Sequence, residues 1–279
     1  MVSFVITASL VLYCNKTAQF SRAIASYLNS CNGEIDVIDN SPEPLECDYF
    51  LNPRVHYLHV GRNLGFGAGH NLALRRVLNA SDFHVVLNPD VEFESNVIPA
   101  LVELLEADEN AGVVMPRIDY PDGSLQNLCK LLPTPRDLFL RRFSFGNSVR
   151  KRLNDRYELH GLSQVKTSIV PSLSGCFLVF RTDVLRQVGI FDERYFMYME
   201  DVDLVRRVGD RARTLYHPLV TVRHDYAKGS YKNRRLLRFH IISAVRYFFK
   251  WGWVFDPVRT ARNRNALGLL KRRACNGKK

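Results

Sequence analysis

The 279-residue sequence has little cysteine, and none of it is patterned. Cys14, Cys31, Cys47, Cys129, Cys176 and Cys275 are scattered and never form a CxxC pair. That argues against a zinc site or a disulfide framework and reads as reduced thiols in a cytosolic protein. No run of about 20 uncharged apolar residues occurs, so no membrane-spanning helix is expected. Met1 to Ile6 place no basic segment ahead of their apolar run, which reads as a buried strand rather than a signal peptide. Internal repeats and low-complexity tracts are also lacking. What remains is an ordinary apolar fraction over a length that suits one large α/β domain with an appendage.

The net charge of +11 is unevenly placed. Residues 226–279 hold 15 Lys/Arg against one acid, Asp256, whereas the first 225 residues hold 24 bases against 27 acids. A slightly acidic body with a strongly basic tail predicts an anionic surface as the tail's partner. Phosphate attraction alone would also suit nucleic acid. No helix-turn-helix, zinc-finger or RNA-binding motif accompanies it, so no nucleic-acid partner is expected.

Apolar runs predict strands at 4–13, 35–38, 55–60, 83–87, 112–115, 174–180 and 215–223, the last broken at Pro218. Helical patterns fall at 17–29, 71–78, 95–107 and 183–188, and another starts at Glu200 or Asp201. The alternation predicts a doubly wound, mostly parallel sheet. Residues 119–170 carry Pro121, Pro133, Pro135 and a basic cluster of Arg141, Arg142, Arg150 and Lys151; they read as a loop-rich insertion. In such sheets ligands bind at the carboxyl ends of strands, where Asp39, Asn63, Asp90 and Gly175 all fall.

Four stretches carry candidate chemistry. Asn88-Pro89-Asp90 ends a strand, because Pro89 cannot continue a central ladder. Asp90 is thereby placed to hold a divalent cation, although an ordinary turn explains the same residues. In Tyr195 to Asp203, three acids in four residues follow an aromatic run. Acids favour a helix's first turn in any case, yet a carboxylate against bulky apolar groups gains proton affinity, which suits a general base. The stretch Gly61 to Asn71 resembles half of a dinucleotide fingerprint, but its third glycine is misplaced and no ribose-binding acid follows, so a dehydrogenase is not expected. A loop whose backbone approaches a nucleotide or sugar fits better. His224, followed by Gly229-Ser230, is placed after a strand as a metal or diphosphate contact.

In this order the pieces resemble the family 2 glycosyltransferases, and within them bacterial rhamnosyltransferases of O-antigen and related cell-surface glycans. The matching residues are Tyr13-Cys14-Asn15, Asp39-Asn40-Ser41, Asn63 to Gly67, Leu87 to Val91, Ser174 to Phe177, Gly189 to Glu193, Tyr195 to Asp203 and His224. The run from Gly189 to Arg206 is the most specific. The resemblance implies an α/β GT-A fold over residues 1–225, a basic amphipathic extension over 226–279, and an inverting transfer from a nucleotide-diphospho-sugar, with dTDP-L-rhamnose favoured over galactofuranose or N-acetylglucosamine donors. It implies Mg²⁺ or Mn²⁺ on Asp90 and His224, and Asp201 as base beside Glu200. The donor contacts would be Tyr13, Asn15, Asp39 on the nucleobase, Asn63, Gly65, Phe66, Gly67, Asn71, Asn88 and Asp90. Ser174, Gly175 and Asp203 would face a sugar. Which of Glu200, Asp201 and Asp203 is the base stays open at this level.

Residues 233–253 suit an amphipathic helix. Leu237, Ile241, Ala244, Phe248 and Trp251 form one apolar stripe, with Arg235, Arg246 and Lys250 along another side. That profile predicts peripheral attachment to the cytoplasmic face of the cell membrane, next to a polyprenyl-diphosphate-linked acceptor. A helix packed on the body with a solvated basic face is the competing reading.

Overall fold

The apolar runs of the first ninety residues build the centre of the molecule. In a computed structural model, which describes residues 4–143, 146–225 and 234–276, strands β1 (Ile6–Leu12), β2 (Glu34–Asp39), β3 (Val55–His59) and β4 (Phe83–Leu87) pair in parallel in the order β3-β2-β1-β4. Helices α1 (Thr17–Ser30) and α2 (Phe66–Val77) follow β1 and β3. Every residue of β4 is buried, as expected for a strand covered on both faces.

Beyond β4 the sheet continues as β8-β6-β9-β5, with β7 on β9. These are β5 (Val91–Phe93), β6 (Ala111–Asp119), β7 (Ser168–Ile169), β8 (Phe177–Arg181) and β9 (Arg213–His224). β8 runs antiparallel to both β4 and β6, while β6 and β9 are parallel. Helices α3 (Val97–Ala107), α6 (Thr182–Val188) and α7 (Glu200–Gly209) join these strands. The mixed α/β architecture with a parallel centre matches the sequence expectation.

The core also holds polar groups in a closed line. Thr7 and Ser9 hydroxyls bracket the His84 ring at 2.8 Å each, and Ser9 meets His70 Nδ1 at 2.7 Å. Burial pushes both histidines down to about 3, with the neighbouring His84 adding to the effect on His70, so both rings are neutral inside the sheet.

Several expectations need correction. α2 begins at Phe66, five residues before the predicted start at Asn71. β9 is not broken at Pro218; its pairing with β6 skips from His217 to Thr221, and the proline sits in that irregularity, where no ladder N–H is needed. Residues 119–170 are not all loop, since they contain α4 (Pro135–Phe143) and α5 (Asn147–Tyr157). Arg141 of α4 lies over the Tyr157 ring at 4.2 Å and pairs with Glu158.

The tail folds as α8 (Arg234–Trp251) and α9 (Pro257–Asn276). Of the predicted apolar stripe, Ala244, Phe248 and Trp251 pack with Tyr195, Met199 and Tyr247, but Ile241 is exposed. Arg246, though exposed, donates to the Arg194 carbonyl, and Lys250 lies 2.9 Å from Asp192, so both cations are tied to the body. The helix is packed on the body through this face. Residues 226–233, which include Gly229 and Ser230, lie outside the described residues.

Candidate active site

The carboxyl ends of β4 and β9 bring Asp90 and His224 together. His224 Nε2 lies 3.2 Å from Asp90 Oδ1 and 3.3 Å from Asn88 Nδ2. Its other nitrogen, Nδ1, meets Gln126 Oε1 at 3.0 Å, and Gln126 Nε2 donates to the His224 carbonyl at 2.7 Å. The Gln126 amide is thereby fixed, so Nδ1 donates to it and the ring turns Nε2 toward Asp90. Asp90 Oδ1 is buried with no hydrogen-bond donor. An orphaned carboxylate oxygen beside an imidazole nitrogen is a donor set that suits a divalent cation. Among the described residues no three His, Cys, Asp or Glu side chains form a metal cluster. A cation here would therefore complete its shell from phosphate oxygens and water, as Mg²⁺ commonly does.

Asp201 reaches the same edge from α7. Its Oδ2 accepts the Gly175 N–H at 2.9 Å, and its Oδ1 accepts the Val202 N–H at 2.8 Å. A side chain at Gly175 would crowd the Asp201 Cβ at 3.1 Å and the Phe66 ring at 3.3 Å, so Phe66, Gly175 and Asp201 are in direct contact. The next residue, Cys176, gives its carbonyl to the Asn88 N–H at 2.9 Å. Burial pushes the Cys176 thiol up to about 12, against a hydrogen bond with Ser174, and the charges of Asp90 and Asp201 both raise it further. One thiol thus feels both carboxylates, which lie on either side of the β8 entry.

The other two acids of the cluster behave differently. Glu200 is buried with Oε2 unpartnered; burial, helped by the Asp201 charge, pushes its carboxyl well above the usual range. That disfavours the ionised form a base needs, and the folded chain holds this proton to higher pH than the unfolded chain does. The stability from this group is therefore present below the ordinary glutamate range and is lost as pH rises above it. Glu200→Gln is expected to flatten the dependence of the urea midpoint on pH above that range; an unchanged slope would contradict the buried acid.

Asp203 was expected to face a sugar and does not. It is 0% exposed, with Trp251 Nε1 at 2.8 Å, Lys250 Nζ at 2.7 Å and Arg207 Nε at 2.9 Å. Its place on the α7 face opposite the cleft makes it the pin that holds α8. Asp203→Ala leaves Arg207 without its counter-charge and Lys250 with Asp192 alone, and should destabilise by about 3 kcal/mol. Calorimetry should show that loss as a lowered unfolding temperature; an unchanged one would contradict the pin.

Three expected donor contacts also turn inward. Asp39 is fully buried, and its oxygens accept the Ser41 N–H (2.9 Å), the Leu45 N–H (2.9 Å) and the Tyr57 hydroxyl (2.7 Å). Burial opposes its ionisation, but these hydrogen bonds prevail and hold it below the usual range. A nucleobase at this edge would meet the loop that Asp39 braces rather than the carboxylate itself. Asn71 donates to Phe191 O and Glu193 and accepts the Phe191 N–H, which fastens the 191–193 segment. Gly67 lies inside α2 against Phe191. Gly65, at φ +89°, turns the chain into α2 with its N–H held by Asn63 Oδ1, and the next N–H, of Phe66, reaches Phe196 O at 3.2 Å. Tyr13 is exposed at the end of β1, with its N–H on Asn15 Oδ1.

Sequence reasoning missed Gln126, which lies in the segment read as an insertion, and the backbone ahead of Glu200. Tyr198 and Met199 both adopt left-handed conformations, at φ +66° and +69°. Neither residue type signals this, and each costs about 1 kcal/mol. The kink they make sets the direction from which α7 presents Asp201.

The sequence profile described as Glycosyl transferase family 2 matches residues 11–189, well over half of the chain. The chain belongs to this family. As a family 2 glycosyltransferase it is 32% identical over 185 residues to the N-acetylglucosaminyl-diphospho-decaprenol L-rhamnosyltransferase of Mycobacterium tuberculosis, an alignment covering 63% of this chain and 60% of that protein. It is 25% identical over 193 residues to the rhamnosyltransferase WbbL of Escherichia coli, covering 66% and 69%. The fold is shared with the mannosyltransferase PcManGT of Pyrobaculum calidifontis, solved with GDP-Man and Mn²⁺, at a TM-score of 0.58 and 15% identity over 97% of this chain and 74% of that one. The GT-A expectation and the glycosyltransferase expectation both hold.

Proposed function

We propose that the chain transfers L-rhamnose from dTDP-L-rhamnose, with inversion, to a hydroxyl of a polyprenyl-diphosphate-linked glycan in cell-surface polysaccharide assembly. The observation that carries this reading is the convergence of Asp90 with His224, and of Asp201, around Cys176 at one sheet edge. The names of the two relatives support the sugar, and the first supports a lipid-linked acceptor.

In this reading Asp90 and His224 would hold Mg²⁺ or Mn²⁺, which would supply positive charge toward the leaving diphosphate. Asp201 takes the proton of the acceptor hydroxyl as that oxygen forms its bond to the anomeric carbon and the bond to the diphosphate breaks. The two N–H groups on Asp201 fix its direction and leave acceptor capacity on both oxygens. Glu200, buried with Oε2 unpartnered, is not the base in this reading. Attack from the face opposite the diphosphate turns a β-linked donor into an α-linked product. In this reading Asn88, Phe66, Ser174, Tyr13 and Asn15 contact the donor, and Asp39 braces the loop that follows β2. Residues 1–225 form the catalytic body, and the basic extension, 226–279, meets the anionic cytoplasmic face of the membrane, where the acceptor lies. No helix among the described residues is long and apolar enough to cross a membrane.

A panel of nucleotide sugars with Mn²⁺, scored by nucleoside-diphosphate release, tests the donor. dTDP-L-rhamnose should be turned over at least tenfold faster than UDP-galactofuranose or UDP-N-acetylglucosamine, about the discrimination that one or two sugar-specific hydrogen bonds provide. A preference for either of the others would contradict the assignment.

A further inference from the structure

The outward side of α8 changes character along its length. Arg234, Arg235 and Arg238 stand exposed in its first turns. The same side continues with Ile242, Val245 and Phe249, and the turn into α9 extends it through Trp253, Val254 and Phe255. Phe249 is 75% exposed, Val254 91% and Phe255 85%. Single exposed apolar side chains are ordinary, but a continuous patch on a helix and its following turn marks an interaction surface.

The turn is firmly built. Arg259, itself buried, donates to the carbonyl oxygens of Gly252 (3.2 Å), Trp253 (3.4 Å) and Val254 (3.2 Å), and also to Pro133 O (3.3 Å). Asp256 accepts the Arg259 N–H at 2.9 Å and is held by Arg206 at 2.7 and 2.9 Å. The Arg206 guanidinium also stacks on Trp251 at 4.0 Å. A turn facing water needs no internal donor for its carbonyls, because solvent supplies one. A turn facing hydrocarbon does, since an unpaired carbonyl there is costly. Here the carbonyls are satisfied from beneath, and the outward side consists of apolar side chains.

We propose that the 253–255 turn, together with Phe249, is a wedge that enters the acyl region of an anionic bilayer while Arg234, Arg235 and Arg238 lie at headgroup level. This rests on the membrane reading above and adds which side chains leave water. The charge on the same helix side selects a membrane over a second copy of this chain, whose own arginines would repel it. Arg206 and Trp251 tie the wedge to α7, so the depth of insertion sets the height of Asp201 above the lipid.

The test uses the full chain with vesicles of phosphatidylcholine and phosphatidylglycerol. Trp253 should be quenched by lipids brominated on their acyl chains, and Trp253→Phe should remove that quenching while Trp251 stays unquenched. Val254→Ser with Phe255→Ser should weaken partitioning about 30-fold with dTDP binding and the unfolding midpoint unchanged. Unaltered partitioning of that variant, with no Trp253 quenching, would sink the wedge and leave a purely electrostatic membrane contact. A wild-type chain that binds neither neutral nor anionic vesicles would remove both membrane statements, while nucleoside-diphosphate release reports on the transfer reaction separately. A dimer in lipid-free sedimentation that the double variant abolishes would assign the patch to a protein interface and overturn the proposal.

Discussion

Asp201→Asn is expected to lower turnover by about 10³-fold, within the range that a positioned general base contributes, while dTDP affinity stays within about twofold. The split follows from geometry. Asparagine keeps the shape, and its single oxygen can accept either the Gly175 or the Val202 N–H but not both, so one of the two anchors between the β8 entry and the start of α7 remains. What is lost is the capacity to take a proton from an acceptor hydroxyl. Neither neighbour can replace it: Glu200 is buried with Oε2 unpartnered and its ionised form disfavoured, and Asp203 faces α8 under three donors. Transfer assays with a lipid-linked acceptor and calorimetric titration with dTDP separate the two effects. Turnover within tenfold of wild type would mean that another group is the base.

Asp90→Asn should produce the opposite pattern. The carboxylate that faces His224 Nε2 becomes an amide, which is a poor ligand for a hard cation and donates toward the ring instead. Mn²⁺-dependent dTDP binding should weaken about 100-fold, and turnover should fall by about 10² to 10³. The binding titration is independent of catalysis and can be repeated for His224→Ala, where a smaller loss is expected because one ligand and its Gln126 support disappear together. Metal-free dTDP affinity should be the same in all three proteins. If Mn²⁺ raises dTDP affinity equally in Asp90→Asn and in wild type, the cation is held elsewhere.

The contrast between these two variants reflects what sequence alone conveys. Strand ends are legible from the apolar runs and the residues that stop them, so Asp90 after Pro89 and His224 at the end of β9 could be placed at one edge. Asp201 could be placed only as one of three acids. What separates the three is tertiary: Trp251 and Lys250 claim Asp203 from nearly fifty residues away, and Glu200 packs against α2 with Oε2 buried and unpartnered. The glycine-rich stretch misled in the same way. Gly67 and Gly69 weaken a helix by propensity, yet both lie inside α2, where Phe191 crowds Gly67 and Val11 crowds Gly69. For α8 the period was right and the face held for Ala244, Phe248 and Trp251 but not for Ile241. Phe248 and Trp251 pack inward as a 3.6-residue repeat requires, but Ile241 turns outward because the inward side is centred on Tyr247 and Ser243. The left-handed pair Tyr198 and Met199 carries no signal in residue type.

The claim on which the rest depends is that a cation-holding carboxylate and a proton-accepting one share a single cleft. Crystals grown with dTDP and Mn²⁺ test it most directly through the anomalous signal of manganese. The account predicts one strong peak bound by Asp90 and His224, with the diphosphate on it and the Asp201 carboxylate open to the same cavity. A peak away from Asp90, or a nucleotide bound where Asp201 does not line the cavity, would contradict it.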